Sequence, residues 1–174
     1  GGYHEIFFGL SAIGIINPYR IVDAKSQLFQ DRPLNPAVKR IENNGKVYAI
    51  ILRSDFSEEG IHFFTPNSFS QQLGYMKHSA GHIIKPHTHV LKERKIDYTQ
   101  EVLFIRKGKV RVDLYDDEHH PYCSEVLKTG DVLFLAYGGH GFEILEPTEM
   151  IEIKQGPFLG EEDKVRFDPD PAKT

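Results

Sequence analysis

Cysteine is almost absent from this chain of 174 residues. Cys123 stands alone, so no internal disulfide can form, which fits a reducing compartment. Its neighbours offer no obvious catalytic partner, and it reads as a small core hydrophobe or a loop thiol rather than a nucleophile. A surplus of basic charge is missing too. Lys and Arg number 21 against 25 Asp and Glu, for a formal net charge of −4 and a pI near 6.1. With no basic stripe, nucleic acid is not an expected partner. The apolar stretch Ile6–Ile16 is eleven residues long, too short for the roughly 20 that a membrane-spanning helix needs. It lacks a preceding basic region and a small-residue cleavage site, so neither a signal peptide nor a membrane segment is expected, and the expected location is the cytoplasm. Helical periodicity is lacking over any stretch longer than ten residues; Ala24–Gln30 offers one short turn. No internal repeat is visible, and the first forty residues hold no helix-turn-helix pattern of a DNA-binding regulator.

What is present is the material of one all-β domain. The length suffices for one well-buried core and is short for two, and 40% hydrophobic with 26% charged residues is ordinary globular usage. Val38–Ile41 and Lys46–Leu52 flank Asn43-Asn44-Gly45, a strong hairpin signal. Further strands are expected at Gly60–Phe64, Gln71–His78, His82–Ile84, Glu101–Arg106, Lys109–Tyr115, Cys123–Leu127, Asp131–Ala136, Phe142–Leu145 and Met150–Lys154. Between them lie turn-forming clusters such as Lys107-Gly108-Lys109, Asp116-Asp117-Glu118, Lys128-Thr129-Gly130 and Glu146-Pro147-Thr148. Many short strands separated by such turns indicate an antiparallel sandwich or barrel. The tail from Glu161 is charged and punctuated by proline, and its end is expected to be mobile.

Four residues stand out chemically. His87 and His89 are one residue apart, Glu101 follows twelve positions later, and His140 precedes an apolar strand. On a strand, residues i and i+2 face the same side, so both histidines of the pair can reach one interior point. With a carboxylate and a third imidazole from neighbouring strands they make a three-His, one-carboxylate set. Such a set suits a divalent first-row metal and leaves coordination positions open. The remaining histidines carry no such pattern: His62, His78 and His82 are isolated, and His119-His120 sits in a polar loop expected to be exposed rather than chelating.

These residues resemble the cupin superfamily. Gly81, His87, His89, Glu101 and Gly108 follow its first motif, G-x5-H-x-H-x(3,4)-E-x6-G, and Gly130 with His140 follows the second, G-x5-P-x-G-x2-H, more loosely. Eleven residues separate His89 from Glu101, and the second motif lacks its proline and is one residue short. Gly138-Gly139 can still turn His140 into the next strand, and a longer loop costs little closure entropy. The resemblance covers Gln71 to Pro157. It implies a cupin-type double-stranded β-helix, an antiparallel jelly-roll barrel. Residues 71–158 would be its core, 1–70 a strand extension packed on it, and 159–174 a tail. It also implies one divalent ion held by His87, His89, Glu101 and His140, and it favours a homodimer.

Alternation extends the site. If Glu101 points inward, so do Thr99, Leu103 and Ile105, while Val102 and Phe104 face the other layer. If His140 points inward, Phe142 and Ile144 share its face. Lys85, two residues before His87, shares that side unless Pro86 disturbs the alternation. Lys85, Thr99, Leu103, Phe142 and Ile144 thus line a mostly apolar pocket with a polar end, suited to a small molecule. The insertion Val90–Tyr98 is expected near the mouth, where Lys92, Arg94 and Lys95 would either attract a carboxylate or phosphate or form a solvated charged loop. Fe(II), Mn(II), Ni(II), Co(II) and Zn(II) all suit the donor set. The expected function is a metalloenzyme with isomerase-like Lewis-acid or dioxygenase chemistry on a small polar, sugar-derived or carboxylate substrate. A non-catalytic small-ligand-binding module is the alternative.

Overall fold

Asn-Gly chemistry opens the fold. β1 (Val38–Asn43) returns antiparallel as β2 (Lys46–Leu52), with Asn44 and Gly45 between them at φ 49° and 76°. Positive φ at both positions is the backbone of a two-residue hairpin turn whose twist matches its strands. The computed structural model describes residues 35–169. Ile6–Ile16, Ala24–Gln30 and the end of the tail therefore lie outside the described residues. The other strands are β3 (Gly60–Phe63), β4 (Gly74–Lys77), β5 (Glu101–Lys107), β6 (Lys109–Tyr115), β7 (Pro121–Lys128), β8 (Val132–Leu135), β9 (Gly139–Ile144) and β10 (Glu149–Lys154). A 3₁₀ turn, Gly160–Asp163, follows.

All pairings are antiparallel. One sheet has the order β1-β2-β8-β5-β10, a second β7-β6-β9, and β3 and β4 form a separate hairpin. The inner faces of the five- and three-stranded sheets enclose one core. Ala49, Ile51, Leu103, Ile105, Leu133 and Leu135 from the first meet Val110, Val112, Leu114 and Leu127 from the second. Beyond the five-stranded sheet a second apolar layer forms, in which Ile50, Leu52 and Phe134 pack against Phe56, Phe64 and Leu73. β2 is therefore covered on both faces, which is why its sequence is a continuous apolar run rather than an alternation. β6 has core on one face only, and its burial alternates residue by residue.

The result is all-β and sandwich-like, with open sheets rather than a closed barrel among the described residues. The strands expected at Lys46–Leu52 and Lys109–Tyr115 form with those limits, and most others form within a few residues of them. The exception is His82–Ile84. Residues 83–97 carry no regular structure, and Ile83 and Ile84 are 70% and 55% exposed. Pro86 cannot donate to a sheet ladder, and neither isoleucine finds a core to enter. Among the described residues β9 is an edge strand. Within residues 1–70, β1 and β2 belong to the five-stranded sheet, where β2 pairs directly with β8.

Candidate functional site

β5 and β9 bring the site together. Glu101 begins β5 on its inward face, continued by Leu103 and Ile105, which are 4% and 0% exposed, whereas Val102 and Phe104 face the other way. His140 lies opposite Leu114 of β6, and Phe142 and Ile144 lie opposite Val112 and Val110, so all three share the inner face of the smaller sheet. Two glycines set this entry. Gly138 has φ 72°, and a Cβ there would come within 2.3 Å of the Tyr115 carbonyl and 2.4 Å of the Tyr48 ring. Gly139 is the second, where a Cβ would meet the Phe167 ring at 2.7 Å. At Gly138 only a residue without a side chain fits, whereas at Gly139 the Phe167 ring would have to move to admit one.

From these facing strands, His140 Nε2 reaches Glu101 Oε2 at 3.2 Å. The glutamate side chain is 12% exposed and the histidine 32%. The hydrogen bond from His140 lowers the Glu101 carboxyl below its ordinary range. Burial opposes that shift, while the charges of His140, Lys164 and Lys154 assist it. Glu101 is thus held as an anion at the rim of an apolar core. Phe142 flanks the imidazole at 5.6 Å and packs on the core beneath. The start of β5 is braced as well: the Gln155 side chain accepts from the Gln100 N–H at 2.7 Å and donates to Ser70 Oγ at 2.8 Å.

The other expected site residues are distributed differently. His87 and His89 are exposed in the strandless segment, with their rings 5.4 Å apart, and His87 Nδ1 lies 3.0 Å from the Lys85 carbonyl. They do not join Glu101 and His140, and no group of three or more His, Cys, Asp or Glu able to hold a metal forms among the described residues. The donor set therefore fits a metal in part: one carboxylate and one imidazole meet, and the imidazole pair stands apart. Of the expected pocket, Leu103 is buried and Phe142 half-buried. Ile144, on a strand that is an edge among the described residues, is 53% exposed, and Thr99 and Lys85 are exposed. Thr99 precedes the strand, so the alternation does not reach it.

Lys92, Arg94 and Lys95 are exposed, and Lys95 is paired with Asp97 at 2.8 Å. Among the described residues they make no ion pair with the Glu101–His140 site. The insertion is anchored instead at its end, where Tyr98 packs edge-to-face on Tyr137 at 5.0 Å. Cys123 is half-buried against the core, and burial pushes its thiol up, away from nucleophilic character. His120 bonds to Asp116 and His119 stacks on Phe167, so the polar-loop pair has local partners.

Alternation alone did not reveal the residues that the fold adds to this site. Lys154 of β10 stands opposite Glu101 in the ladder. Its ammonium lies 3.3 Å from Asp163, each side chain being 16% exposed. Antiparallel pairing of the last expected strand with the Glu101 strand would have suggested Lys154, but the register was not readable. No helix among the described residues is long and apolar enough to cross a membrane. Compared with protein-family models, with curated proteins and with solved structures, the chain matches none.

Proposed function

We propose that this chain is a cupin-like metalloprotein, in which His87, His89, Glu101 and His140 hold one divalent ion and the bound ion acts on a small polar, sugar-derived or carboxylate substrate. The observation that carries the reading is the meeting of Glu101 and His140, 3.2 Å apart, from strands of two different sheets. Completing the set requires the segment holding His87 and His89 to close on that pair, and β9, which carries His140, is an edge strand among the described residues. Bound there, iron, manganese, nickel, cobalt or zinc would supply Lewis-acid polarisation of a chelating oxygen pair or, for a redox metal, oxygen activation. The chain's own residues supply the rest. Glu101 is kept anionic, His140 is aimed at it, and Leu103 and Phe142 exclude water from one side.

A second reading rests on a specific observation, the exposure of His87 and His89 away from the pair. In that reading the chain is a metal-free small-ligand-binding module. Elemental analysis of the purified protein separates the two. Near one equivalent of metal per chain, sharply reduced in His87→Ala, Glu101→Ala and His140→Ala, is the expected result. Metal content unchanged in all three variants, or no uptake on addition of any of the five metals, would leave the binding module.

A further inference from the structure

The segment between β4 and β5 exposes apolar and cationic side chains together. It leaves the body at Lys77, the end of β4, and rejoins it where Tyr98 packs on Tyr137 and Gln100 is buried. Between these points residues 83–97 have no regular structure. Two adjacent apolar pairs stand on it, Ile83-Ile84 and Val90-Leu91, all four exposed; Val90 is 81% exposed and Leu91 fully so. Ile96 and Tyr98 are exposed as well. Large apolar side chains gathered at the surface and rimmed by charge mark an interaction site, whereas single ones do not.

Charge along the same stretch runs against that of the remaining molecule. Residues 83–98 hold Lys85, Lys92, Arg94 and Lys95 against Glu93 and Asp97, a net charge of +2, while the remaining chain carries −6. Lys95 is paired with Asp97 at 2.8 Å. Lys92 and Arg94 meet no carboxylate among the described residues, and Arg94 reaches only the Lys92 carbonyl, at 3.5 Å. Near an anionic surface such a distribution turns this segment toward it and the acidic remainder away.

We propose that residues 83–98 dock the protein on the surface of an anionic lipid bilayer. Lys92 and Arg94 meet the acidic headgroups, and Ile83, Ile84, Val90 and Leu91 insert at headgroup depth. The placing of the apolar residues favours lipid over a protein groove. A groove or a sheet edge reads one face of its ligand, at spacings of two or of three and four residues. Here immediate neighbours are exposed together, on no common face. Hydrocarbon accepts them all, because apolar attraction has no direction. Depth is limited, since the backbone amides of an irregular segment find no partners in the bilayer core. The contact is therefore peripheral, with apolar burial and attraction to anionic lipid adding to one another. The inference is independent of the metal reading, for it uses none of His87, His89, Glu101 and His140.

The test is co-sedimentation of the full-length protein with vesicles of phosphatidylcholine alone and of phosphatidylcholine mixed with phosphatidylserine. Binding to the mixed vesicles only, released at about 0.5 M salt by screening, is the expected result. Lys92→Gln with Arg94→Gln should weaken it by about tenfold or more. Val90→Ser with Leu91→Ser should weaken it by a similar factor. Thermal unfolding should be unchanged in both variants, because all four side chains are exposed. Binding to neither vesicle overturns the proposal, as does equal binding to both. Loss of binding with the two cations but full tolerance of the two serines also overturns it, and assigns the segment to a charge-only contact with an acidic protein surface.

Discussion

At the scale of single residues, the chemistry of this chain depends on a few groups whose charge state is set by neighbours. Glu101 is the functional example, held as a carboxylate by His140 against burial. Asp113 is the structural one, on the face of β6 away from the core and opposite Gly141 in the ladder. Burial would raise its carboxyl, but hydrogen bonds from Arg111 Nε at 2.9 Å and Ser124 Oγ at 2.5 Å, with the charge of Arg111, bring it below its ordinary 3.8. A carboxyl depressed in the folded state contributes stability that is present above its unfolded pKa and is lost as pH falls through the folded value. Asp113→Asn should therefore reduce unfolding free energy near neutral pH. The difference from wild type should shrink on acidification below the ordinary carboxylate range. Urea denaturation at several pH values checks this, and a difference that stays constant down to about pH 2 would contradict the linkage.

At the scale of elements, the segment between β4 and β5 decides whether the metal reading holds. It carries His78, His82, His87 and His89 without a sheet partner among the described residues, and its isoleucines are exposed. Chelation by His87 and His89 together with Glu101 and His140 ties this segment to two sheets, and ordering of that kind slows local opening. Hydrogen exchange of residues 83–90 should accordingly slow by about tenfold or more when the metal-free protein is given one equivalent of zinc or manganese. Protection should be absent in Glu101→Ala. Identical exchange with and without metal would count against closure of the segment. The same physics explains why the expected His-x-His strand is not seen: period-two alternation describes a strand only when a neighbouring ladder satisfies its backbone, and among the described residues none does.

At the scale of the whole molecule, the five-stranded sheet ends on β10, an edge among the described residues. Ile151 and Ile153 are 47% and 57% exposed, and across the ladder they face Phe104 and Val102. An apolar edge of this kind invites another strand. The homodimer expected for this chain is proposed here as a two-fold pairing of β10 with β10 of a second copy, the isologous arrangement that a closed dimer needs. Light scattering coupled to size exclusion should give twice the 19.9 kDa chain mass. Ile151→Lys with Ile153→Lys should return a folded monomer. A wild-type monomer, or a dimer undisturbed by both lysines, would dismiss that interface.

Much of the architecture was written in short-range chemistry. Asn44-Gly45 specifies a hairpin through two positive-φ positions, the alternation of β6 specifies one buried face, and the unbroken run of β2 specifies two. Glu101 and His140 were legible as inward residues for the same reason, since the side of a strand follows from its own pattern. The eventual partners of each strand were not legible. Sheet order and register are settled by contacts between residues distant in the chain, and a strand's own alternation suits several neighbours equally. That tertiary choice set Lys154 opposite Glu101, stacked Phe167 over Gly139 beside His140, and left the His87–His89 segment outside the ladders. The sequence alone determined the all-β class and the residues able to do chemistry. Tertiary structure decided which of them meet, because non-local packing determines proximity.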